Sequence, residues 1–134
     1  MTKHLVGYFT ALISFAVLDG LWLGVVARDL YQSRLGHLLL DQPKWGIAAL
    51  FYLVHAAGLV IFPLSIALAG GSWVTSALYG AAFGLVVYAA YDLTNLATLR
   101  GWPASLTVID LAWGTASTAL ATVAAFLAVR AFVS

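Results

Sequence analysis

A chain of 134 residues with a net charge of +1 suits one domain. Hydrophobic residues make up 63% of it and charged residues 8%, with a mean hydropathy of +1.01. So few charges cannot clothe a water-facing surface, and lipid must cover most of the protein. With no cysteine there is no disulfide, thiolate metal site, cysteine nucleophile or iron–sulfur cluster, and without a basic run there is no nucleic-acid partner.

Four apolar runs follow in order, over about 5–27, 45–69, 73–99 and 104–133. Each is long enough to cross the hydrocarbon core, which takes about 20 helical residues. The backbone has no water to bond there, so each run is a helix. Met1-Thr2-Lys3-His4 ahead of the first run resembles a signal-peptide start. The run continues to Ala27 without a small-x-small cleavage site, however, and is expected to stay as span one.

Residues 28–44 form a polar loop with room for a short helix, and Leu30, Leu35, Leu38 and Leu39 can lie on the membrane surface. Gly70-Gly71-Ser72 and Arg100-Gly101-Trp102-Pro103 are tight turns, with Pro103 suited to open the fourth helix. The expected fold is all-α: a single integral membrane four-helix bundle over 1–134 with antiparallel neighbouring helices.

Loops one and three carry Arg28, Arg34, Lys44 and Arg100, against Lys3 and Arg130 on the other side. That bias favours a multi-pass protein of the cell inner membrane with loops one and three cytoplasmic and both termini outside. Trp45, Trp73 and Trp102 stand at span ends as interfacial anchors. Gly20-x-x-x-Gly24 and Gly80-x-x-x-Gly84 each allow a close helix approach, within the chain or in a homodimer. Pro63 is expected to kink the second span by leaving the Leu59 carbonyl without its donor.

The informative residues are polar ones inside the spans. Asp19, Asp92 and Asp110 sit in spans one, three and four, and His55 sits in span two. A charge at mid-helix costs about 2.5–3.5 kcal/mol on insertion scales, so three aspartates are a heavy load without a use. At 1.5 Å per residue the aspartates lie roughly 9–12 Å in from the loop-one face, and His55 about 15 Å. Three residues on from each aspartate, on the same helix face, stand Trp22, Asn95 and Trp113. Val17-Leu18-Asp19 and Val108-Ile109-Asp110 correspond as well, a trace of internal repetition.

Arg28 and Arg100 can snorkel inward as charge partners, giving an expected Asp–Arg and Asp–His network lining a cleft. The bland alternative is packing: each carboxylate accepts an indole N–H from a neighbouring helix, and His55 is a satisfied core histidine. Three aspartates and a histidine are also donors for a hard cation, but no His-x-x-x-His or Glu-x-x-His spacing supports a metal site, and none is expected.

Asp19-Gly20-Leu21-Trp22-Leu23-Gly24, Tyr91-Asp92-Leu93-Thr94-Asn95-Leu96-Ala97-Thr98-Leu99, Gly101-Trp102-Pro103 and Asp110-Leu111-Ala112-Trp113-Gly114 resemble the bacterial membrane proteins of domain of unknown function 2177. The resemblance spans nearly the whole chain and implies a compact multi-span membrane protein. It carries no catalytic residue over.

Three functions stay open on the residues alone. The first is a membrane enzyme or binder of an apolar lipid or isoprenoid. There Asp19, Asp92 and Asp110 would move protons, and Trp22, His55, Tyr88, Tyr91, Asn95 and Trp113 would line the ligand site, with no cofactor. The second is a proton-coupled transporter working as a homodimer, since carboxylate and histidine chains are relay groups. The third is a structural subunit of a larger membrane complex.

Overall fold

A computed structural model describes residues 1–133. Among them every regular element is helical. Four helices are long and apolar enough to cross a membrane: α1 (Thr2–Val26), α3 (Trp45–Leu68), α4 (Trp73–Thr98) and α5 (Ala104–Phe132). A short helix, α2 (Arg28–Leu35), occupies loop one.

The turns explain the hand-offs. Gly70 has φ 130° and Gly101 φ 81°, a region that only glycine enters without strain. Ser72 caps α4 by accepting from the backbone N–H of Val74 and Thr75, and the Thr75 hydroxyl accepts in return from the Ser72 N–H. The bundle closes as a ring in which α1 packs on α3 and α5, and α5 packs along α4 in the most extensive seam. All four neighbours are antiparallel. In that seam a methyl on Gly84 would collide with the Gly114 carbonyl and Thr118, and one on Gly114 with the Tyr88 ring. Small residues let these two backbones meet, as packing in lipid requires. A methyl on Gly20 or Gly24, by contrast, would meet nothing within 4 Å, so the first of the two glycine motifs seats no neighbouring helix of the chain.

Two stretches widen into π-helix, Trp22–Val26 in α1 and Val60–Leu64 in α3. The second holds Pro63, and the Val60 carbonyl accepts from both the backbone N–H and the hydroxyl of Ser65, the latter at 2.6 Å. This segment packs against α1, α4 and α5, whereas the loop-one half of α3 packs chiefly on α1 and leans away from α4. The interior divides accordingly. Phe15, Leu59, Leu64, Ala121, Ala125 and Phe126 fill the half remote from loop one with an apolar core. The polar cluster lies in the other half.

Candidate functional site: a carboxyl cluster beside an aromatic cleft

Helices α1 and α5 run antiparallel, and this determines how their two Asp-x-x-Trp segments meet. Asp19 comes level with Trp113, and Asp110 with Trp22. Trp113 Nε1 donates to Asp19 Oδ1 at 3.0 Å, and Tyr52 of α3 donates to Asp19 Oδ2 at 2.7 Å. Asp19 therefore ties α1, α3 and α5 together with both oxygens satisfied. The two indoles stack on each other, with centroids 4.4 Å apart and planes 7° apart. The π turn starting at Trp22 sets that indole at the junction, where its Nε1 donates to the Tyr31 hydroxyl at 3.2 Å.

Tyr31 belongs to α2, which folds over the carboxyl end of the bundle. Its hydroxyl donates to Asp110 Oδ1 at 2.5 Å. Burial first, and the Asp110 acceptor second, raise this hydroxyl well above the ordinary phenol range, so it stays a donor. Arg34 bonds Ser105 at the start of α5, and Leu35 is buried beneath the helix. Leu35 was expected on the membrane surface, but Tyr31 four residues earlier shares its inward face.

Asp92 is the unusual member. It is 0% exposed, and neither carboxyl oxygen meets an N–H or hydroxyl donor. Its carboxyl lies within hydrogen-bond reach of Asp110. Asp92 and Asp110 thus form a carboxyl pair on the α4–α5 seam, beneath Tyr31.

Where α3 leans away from α4, a cleft of ≈ 330 Å³ opens beside this pair. Phe51, Val87, Tyr88 and Tyr91 line it together with Asp110. Phe51 and Tyr91 are 40% and 57% exposed, which places them at its outward rim. Tyr88 and Asp110 are more buried and form the floor. Trp102 braces Tyr91 edge-on at 5.7 Å and donates to Thr107 at 3.0 Å.

Several expectations are corrected. Arg28 and Arg100 are exposed, and among the described residues the recorded donors to the aspartates are neutral: Tyr31, Tyr52 and Trp113. A hydroxyl or indole costs less to bury than a guanidinium, which must shed tightly held water. His55 joins no aspartate. Its Nε2 lies 3.1 Å from Thr118 Oγ1, its ring is stacked between Phe51 and Phe83, and its Nδ1 has no partner. It is buried but only half satisfied. Asn95 lies beside Tyr91 on α4 and does not bond Asp92. No three His, Asp or Glu side chains converge as metal ligands among the described residues.

Tyr31, Tyr52 and Thr118 escaped the sequence reading. Tyr52 carried a usable signal, because it stands three residues before His55 on the same helix face. Tyr31 carried little, because loop folding decides what a loop residue touches.

No curated protein and no solved structure matches the chain. A family model described as "Predicted membrane protein (DUF2177)" matches residues 4–127. The match covers nearly the whole chain and agrees with its four apolar helices, and the chain belongs to this family of membrane proteins.

Proposed function

We propose that the protein binds an apolar, lipid-type molecule in the cleft between α3, α4 and α5, and that Asp110 and Asp92 handle a proton beside it. The observation that carries this reading is the joining of a donorless buried carboxyl to a carboxyl that lines an aromatic cleft. Two carboxylates in contact and away from water repel, so the pair holds one proton between them. Asp110 then faces the ligand as acid or base, Asp92 serves as its proton partner, and Tyr31 orients it from above. Tyr88 and Tyr91 contact the ligand, while Trp22, Trp113 and Asn95 brace the walls.

Asp19 has a different part. With two donors on its two oxygens it is a packing tie, which is what the structural-subunit reading expects of all three aspartates. Cleft size supports a small ligand, since 330 Å³ is near the lower end for small-molecule sites. The cell inner membrane, with loops one and three cytoplasmic and a homodimer as the working form, completes the proposal.

A fatty alcohol carrying a photoreactive diazirine tests it in nanodiscs. Adducts are expected to map to Asp110, Tyr88 and Tyr91, and to fall several-fold in Val87→Trp, which fills the cleft. Labelling spread evenly over the outward apolar faces, unchanged by Val87→Trp, would sink the proposal.

A further inference from the structure

The charge balance of the cleft points to the class of molecule it takes. A carboxyl pair with one shared proton carries one net negative charge. A bare charge at this depth is costly, and intramembrane charges are ordinarily paired. Yet among the described residues the chain supplies no cation to it: Arg28 and Arg100 are exposed and Arg34 is engaged with Ser105. The donors it does supply are limited to Tyr31, which reaches only Asp110, and neither oxygen of Asp92 has a donor from outside the pair.

The walls complete the argument. Three of the five lining residues, Phe51, Tyr88 and Tyr91, are aromatic, and the floor ends in a carboxyl. Aromatic faces attract cations through the ring quadrupole, most strongly when both are desolvated, and aromatic cages recognise quaternary ammonium groups this way. A small metal ion needs a converging set of oxygen ligands, which these walls do not offer. A poorly hydrated organic cation needs only rings and one negative charge.

We infer that the cleft takes a lipophilic organic monocation, an amine or quaternary ammonium group carried on an apolar body, with the cationic head over Asp110 and among Phe51, Tyr88 and Tyr91. The apolar body leaves past Phe51 and Tyr91 toward the lipid. This inference rests on the cleft-binding reading above and names its ligand class.

The test is calorimetric titration of the full chain in nanodiscs, with empty nanodiscs as blank. The probes are a benzyl-dimethyl-hexylammonium ion and its neutral isostere with carbon in place of nitrogen. The cation is expected to bind roughly tenfold or more tightly than the isostere. Asp110→Asn, first checked for an intact melting transition, is expected to lose most of that difference. Asp41→Asn, in the exposed loop, is expected to keep it. Equal binding of the two probes would overturn the cation inference while leaving the cleft-binding reading in place. Binding of neither probe above the blank would overturn both. A preference for the cation that survives in Asp110→Asn would also overturn the inference, because the charge would then lie elsewhere.

Discussion

At the scale of single residues, three aspartates at one depth are not equivalent. Asp19 is satisfied twice over, whereas Asp92 has no donor except what Asp110 can offer. Substitution by asparagine should therefore lower stability at Asp19 but not at Asp92. Asp19→Asn turns one accepting oxygen into an NH₂ facing an indole or phenol donor, and should cost about 1–3 kcal/mol, the cost of leaving a buried donor unsatisfied. Asp92→Asn removes a buried acidic group and gives Asp110 an amide donor, so the protein should melt at an equal or higher temperature. Thermal unfolding in one detergent measures both. A lower melting temperature for Asp92→Asn than for Asp19→Asn would contradict the division of roles. The equal depth was legible in the sequence because helix rise converts position into height. The division was not, because it depends on Tyr31 and Tyr52, which arrive from other segments.

At the scale of elements, the two glycine motifs show where pattern reading stops. Both have the same spacing, but only Gly80 and Gly84 face a neighbour. In water the inward face of a helix is marked by its apolar residues. In lipid the outward face is equally apolar, and that mark disappears. Gly84→Ala should cost about 1–3 kcal/mol by pushing α4 off Gly114 and Thr118. Gly20→Ala should cost the monomer nothing and gain a little helix propensity, since nothing stands within 4 Å of the added methyl. Unfolding in urea compares the two, and equal losses would show that α1 and α4 do not pack as described. The Asp-x-x-Trp repeat was more informative, because two copies on antiparallel helices that touch must come into reciprocal register. The π turns left no trace in composition, although Pro63 marks the place of one.

At the scale of the whole molecule, the bundle is built in two halves with different tasks. The half remote from loop one is closed by Phe15, Leu59, Leu64 and Phe126, and by the π segment of α3 bearing on α1, α4 and α5. The half next to loop one is held by hydrogen bonds to carboxyls, is roofed by α2, and is left open where α3 parts from α4. Four spans and their antiparallel order followed from run lengths and two short turns. The cleft did not, because it arises from the lean of one helix, which no local pattern records. The central claim is that Asp92 and Asp110 share a proton at the foot of that cleft. Infrared difference spectroscopy of the protein in nanodiscs at neutral pH tests it most directly, through the carbonyl stretch of a protonated carboxyl. That band is expected in the native chain and in Asp19→Asn, should vanish in Asp92→Asn, and should shift in Asp110→Asn, where the buried Asp92 keeps the proton alone. A native chain without the band, or a band that survives Asp92→Asn and disappears with Asp19→Asn, would contradict the account.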